Sequence, residues 1–147
     1  MTDITAFPTI TTRVRTQGRN ALSFKVAETI KAGMVVCVNA DGKIVAGDHD
    51  DGYNVVGIAN TNGDTATNDT VTVNTAGTVC YVANEDDTTA IGEGTTLAVA
   101  DVNVGGAVRA LQAGADTDEF VVGLALTDIS GGGWGKCLVN PASSNTA

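Results

Sequence analysis

Apolar and polar residues alternate in short runs along this chain, and turn-forming residues separate the runs. Leu22-Ser-Phe-Lys-Val26 and Thr70-Val-Thr-Val-Asn74 alternate strictly, as half-buried strands do. Residues 34–39 form a nearly continuous apolar run, which fits a strand buried on both faces. Residues 43–46 follow across Asp41-Gly42, a hairpin signal whose two turn positions both favour positive φ. Further strands are expected at 53–59, 78–83, 95–100, 107–112, 120–126 and 136–140. Polar loops fall at 47–52, 84–88 and 113–119, and at 60–68, where Asn62-Gly63 reads as a tight turn. A glycine-rich connector covers 130–135, and residues 27–32, closed by Gly33, are the one passage that tolerates helix. Residues 1–20 read as an extended, strand-capable arm and 141–147 as a flexible tail. This spacing predicts an all-β domain over 21–140, a small β-barrel (β-tulip-like) or a sandwich, with at most one short helix.

Part of the pattern occurs twice. Val55-Val-Gly-Ile-Ala59 returns as Val121-Val-Gly-Leu-Ala125, and at the same offset Val73-Asn74 falls on Val139-Asn140. Ile30-Lys-Ala-Gly33 returns as Ile91-Gly-Glu-Gly94. Two pseudo-repeats, about 30–74 and 91–140, are therefore expected within the domain. Gly57 and Gly123, inside equivalent strands, predict bulges or a close approach of backbone.

Composition narrows the function. Gly is 18 of 147 residues with only two Pro, and charged residues are 17% against a usual ~25%. The net charge of −9 is uneven: residues 1–31 carry +3 and the rest −12. An acidic body argues against nucleic-acid binding, and no aromatic platform is interleaved with basic residues. The basic start suits an acidic partner surface. Cys37, Cys80 and Cys137 each sit in an apolar run, which predicts buried thiols from a reducing compartment. The first residues lack the basic-then-apolar order of an export signal, and no apolar run approaches the ~20 residues of a membrane helix.

The chemistry sought is not found. His49 is the only histidine and lies in a polar loop with Asp48, Asp50 and Asp51, which lack the spacing of a calcium loop. The acids of 85–87 and 116–119 read as solvated loops. Residues 130–137 only brush against a phosphate-binding loop, with Ser130 and Cys137 at key positions and no helix able to follow. No catalytic, cofactor or metal residue is expected. Trp134 fits either a core plug or an oligomer-interface anchor.

Ser23-Phe-Lys-Val-Ala-Glu-Thr-Ile-Lys-Ala-Gly33, Asp41-Gly-Lys-Ile-Val45 and Val55-Val-Gly-Ile-Ala59 resemble the small head-decoration (capsid cement) proteins of tailed bacteriophages. Val121-Val-Gly-Leu-Ala-Leu-Thr-Asp128 and Lys136-Cys-Leu-Val139 fit the same pattern, so the resemblance spans roughly 20–140. It implies a non-enzymatic virion protein, made in the host cytoplasm, that binds the major capsid protein on the head exterior and stabilises the expanded shell. It also implies a homo-oligomer, a trimer by preference, with no membrane or nucleic-acid partner. The arm lies outside the resemblance. Its residues Ile10, Arg13, Val14, Arg15 and Arg19 are candidate capsid contacts, through strand addition that orders the arm on binding. The alternative function is a small-ligand or carbohydrate-binding β domain of a tail fibre or cell-surface protein, which predicts an aromatic-lined cleft.

Overall fold

The computed structural model describes residues 3–48, 53–101, 104–111 and 119–144. They form eleven strands: β1 (Arg15–Gln17), β2 (Ala21–Lys25), β3 (Val35–Val38), β4 (Ile44–Ala46), β5 (Val55–Ala59), β6 (Thr70–Asn74), β7 (Val79–Ala83), β8 (Thr96–Val99), β9 (Val108–Ala110), β10 (Glu119–Ala125) and β11 (Trp134–Ser144). Two antiparallel sheets result. The first has the order β2-β6-β5-β3-β4 and the second β1-β7-β11-β10-β8-β9. Single parallel bridges, Val26 to Ile44 and Asn84 to Val108, bring the end of β2 near β4 and the end of β7 near β9. Neither becomes a ladder, so the fold is a sandwich and not a barrel or tulip.

Setting β1 aside, the second sheet repeats the first strand for strand. β7-β11-β10-β8-β9 follows the same order as β2-β6-β5-β3-β4. The bonds around the sheets repeat too. Ile30 and Gly63 exchange a backbone pair at 2.8 and 2.9 Å, as Ile91 and Ile129 do at 2.9 and 2.9 Å. Asn62 Oδ1 accepts from the Ala32 amide at 2.8 Å, and Asp128 Oδ1 accepts from the Glu93 amide at 2.9 Å. Each unit thus gains a strand upstream of the expected repeat, β2 in one and β7 in the other. The register also corrects one sequence match. Ala59 pairs with Val73 and Ala125 with Cys137, so Val73 corresponds to Cys137 and Asn74 to Leu138, not to Val139 and Asn140. The first unit spends two more residues between these strands, and the repeated Val-Asn pair concealed it.

The two strand-interior glycines are explained by close approach. An added Cβ would sit 1.9 Å from the Asn74 carbonyl oxygen at Gly57, and 1.9 Å from that of Leu138 at Gly123. Both lie next to a bulge, where the register shifts past Val56 and Val122. The hairpin at Asp41-Gly42 differs from expectation, because among the described residues only glycines have positive φ. Gly42 does so at 77°, but the loop is five residues long. Asn39 Oδ1 holds it by accepting from the Asp41 and Lys43 amides, both at 3.0 Å. Gly63 makes no tight turn: a Cβ there would meet Val71 Cγ1 at 2.4 Å.

Residues 27–32 form no helix, because Ala27 and Ile30 bond to Ile44 and Gly63 instead. The glycine-rich connector ends at a turn, and β11 starts at Trp134. The expected tail is strand as far as Ser144, where β11 pairs with the start of β10; residues 145–147 lie outside the described residues.

Each sheet has an inner face and an outer face. On the first sheet the inner face carries Val36, Ile44, Ala59, Val71 and Val73, and these join Phe7, Val26 and Ile30 in one core. Its outer face carries Val35, Cys37, Val55 and Ile58. These pack against the inner face of the second sheet, Leu97, Val108, Ala125 and Cys137, in a second core. The sheets are therefore stacked in the same sense, outer face onto inner face. Ile30, Ile44, Ile58, Leu97 and Ile129 are fully buried, each stabilising the fold by roughly 1.5–3 kcal/mol.

Candidate functional surface

The N-terminal arm lies along its own chain. The Ile4 amide donates to the Glu85 carbonyl at 2.8 Å, and Asp3 bridges Asp86. Phe7 is buried edge-on to Trp134, with ring centroids 5.6 Å apart at 82°. Val14 is a core residue, 3% exposed, whose carbonyl accepts from the Tyr81 amide at 2.9 Å. Ile10 packs half-buried against the same core. The arm's weak alternation is thus a packing signal, and Val14 is corrected from a candidate contact to core. Arg15 is half-buried in β1, opposite Cys80, and Arg13 and Arg19 are exposed. β1 ends its sheet, so one backbone edge of it faces no other described strand.

Trp134 closes the inner face of the first sheet. A Cβ on Gly33 would lie 2.5 Å from its ring, so the indole covers that glycine. It is half-buried and packs with Phe7 against that core, as a plug does.

In the acidic segment after β7, Glu85 and Asp86 are buried rather than solvated, while Asp87 is exposed. Glu85 and Asp86 are each 5% exposed, and Arg109 is 8% exposed. Glu85 accepts from the Asp101 amide at 3.0 Å, yet burial pushes its carboxyl above the usual glutamate range. Asp86 caps the turn after it, accepting from the Thr88 amide at 2.9 Å and the Thr89 amide at 3.2 Å. Asp64 has its carboxyl held low by the Thr67 amide and hydroxyl and the Ala66 amide. Asp69 is held low by Lys25, 3.0 Å away. All three cysteines are reduced and buried. Burial raises the Cys80 thiol and, with Cys80 opposite, pushes Cys137 up to about 12. No group of three or more potential ligands among the described residues is placed to hold a metal, and these residues include no helix long and apolar enough to cross a membrane. His49, Asp50, Asp51 and residues 112–118 lie outside the described residues.

A groove of about 410 Å³ is lined by the arm at Pro8–Ile10, by residues 29–32 and by Asn62, Asp64 and Asn68. A second, of about 240 Å³, lies beside Glu85, Asp86 and Arg109. Neither has an aromatic wall.

The surface that sequence reasoning missed is the outer face of the second sheet. Register aligns Thr96, Leu124, Leu138 and Val79 in one row across four strands. A second row follows, in which the Leu126 amide donates to the Lys136 carbonyl at 2.8 Å and Lys136 pairs with Tyr81. Lys136 Nζ lies 6.0 Å from the Tyr81 ring centroid. Leu124 is 37% exposed and Leu126 39%. Alternation within Leu124-Ala-Leu126 and Lys136-Cys-Leu138 contained the signal, since it sets these four side chains opposite Ala125 and Cys137.

Searches of known family models and of curated proteins find no match to the chain.

Proposed function

We propose that this chain is a non-enzymatic virion protein that sits on the exterior of a tailed-phage head and stabilises the expanded shell. Its partner in this reading is the major capsid protein. The motif resemblance over roughly 20–140 supports it. So does the use of those motif residues as scaffold: Gly42 turns the β3–β4 hairpin, and Gly57 permits the close approach of β5 and β6. The observation that carries the reading furthest is the β1 edge. It is a strand edge that faces no other described strand, begun by Arg15 and flanked by Arg13 and Arg19, on a molecule of net charge −9. Such an edge suits strand addition against an acidic segment, with electrostatics setting approach and register. Ligand binding in an aromatic cleft gains no comparable support from either groove.

The test is co-sedimentation of the purified chain with expanded heads of its own phage. Saturable binding at a fixed ratio per capsomer is expected. The double variant Arg13→Glu, Arg19→Glu should bind at least about tenfold more weakly, with a reduced dependence on salt. Absence of binding to heads overturns the proposal.

A further inference from the structure

The stacking of the sheets leaves one face over. Of the four sheet faces, three are packed by the cores, apart from Leu22 at the rim of the first: the first sheet's inner face by its own core, and its outer face by the second sheet's inner face. The fourth, the outer face of the second sheet, has no sheet over it among the described residues.

Its composition is not that of a surface left to water. The first sheet supplies the comparison within the same molecule. Where its outer face leaves the covered zone, the row is Asn60, Thr72 and Ser23, all polar. The corresponding row of the second sheet is Leu126, Lys136 and Tyr81. One row further in, the first sheet places the buried Asn74 where the second sheet places Leu138. Single exposed leucines need no explanation. An apolar patch two rows deep, in the place where the sister sheet turns polar, does need one.

We propose that this face is a self-association surface and that its occupant is the same face of a second copy of this chain. The molecule already shows that this face of the unit is covered by a sheet built from the same unit. A second copy offers this as its one sheet face that neither core packs against among the described residues. Contact of like with like makes the pairing isologous, with a two-fold axis near Leu124. Charge permits it: Lys136 is the charged residue of the two rows, so the pairing brings no acid of these rows against another, although each body is acidic overall.

The test is sedimentation equilibrium of the full chain, without capsids, over a wide concentration range. A reversible dimer is expected. Leu124→Lys enters the contact twice and should weaken dimerisation at least about 30-fold. Leu22→Lys, at a still more exposed leucine on β2, should leave it unchanged. Thermal melting checks that both variants fold. As a second reading, Leu124→Cys should give an inter-chain disulfide under mild oxidation, because the native cysteines are buried. A wild-type monomer at the highest concentration overturns the proposal. So does a trimer, which requires a different, head-to-tail contact, or a dimer indifferent to Leu124→Lys. The proposal does not rest on capsid binding, so either reading can fail alone.

Discussion

The two sheets share strand order, bulges and turn glycines, yet the first is covered on both faces and the second on one. Val35 and Ile58 are fully buried, while Thr96 and Leu124, their counterparts, are exposed. Backbone pairing alone therefore fixes the architecture of the unit. The side chains on the outer face then record what each copy meets. Where a sheet lies above, the residues are Val35 and Ile58; where none does, Thr96 and Leu124 stand in the same places.

The sharpest way to break the comparison is to attack what the copies share. Gly57→Ala and Gly123→Ala each force a Cβ onto a neighbouring carbonyl oxygen. Each should lose about 4 kcal/mol in urea unfolding. A marked inequality would mean that the two bulges are not equivalent supports. Next come the positions that differ. Ile58→Ala should cost about 3 kcal/mol through the cavity it leaves, while Leu124→Ala should cost under about 1 kcal/mol at dilutions where the chain is monomeric. Equal losses would show that the second sheet's outer face is covered within the monomer.

The smallest effect concerns a group with no counterpart in the first unit. Asn84 and Val108 stand where Val26 and Ile44 do, so Glu85 corresponds to Ala27. Because burial raises the Glu85 carboxyl above its ordinary value of 4.5, its favourable contribution is present below that pH and is lost as pH rises through the raised value. Glu85→Gln should therefore be more stable than the native chain near neutral pH and lose that advantage below about 4.5. An advantage that persists at acid pH would assign the effect to packing.

Strands were legible in the sequence wherever side-chain alternation and burial coincide. The apolar run at 34–39 reads as buried on both faces, and Val35, Val36 and Cys37 are each at or below 1% exposure. The repeat was legible only through identical side chains. β2 and β7 escaped it because their equivalence lies in backbone pairing, which Leu22-Ser-Phe24 and Cys80-Tyr-Val82 satisfy with different residues. The register of β6 against β11 was hidden by a two-residue difference in loop length. On the arm, the apolar residues that suggested a partner, Ile10 and Val14, find one inside the chain. Arg13 and Arg19 remain exposed, and Arg15 is half-buried. Trp134 could not be placed from sequence because its packing partners, Gly33 and Phe7, are more than a hundred residues away.

β1 has a mechanical consequence. It precedes β2 by only three residues, Gly18 to Asn20, yet it belongs to the other sheet. The start of the chain thus works as a clasp: its strand is laced to β7, while the residues just beyond are laced to β6. Prising the halves of the sandwich apart puts that short span under tension before the shared core has opened far. A load that pulls the sheets apart is met first by backbone and only then by side chains.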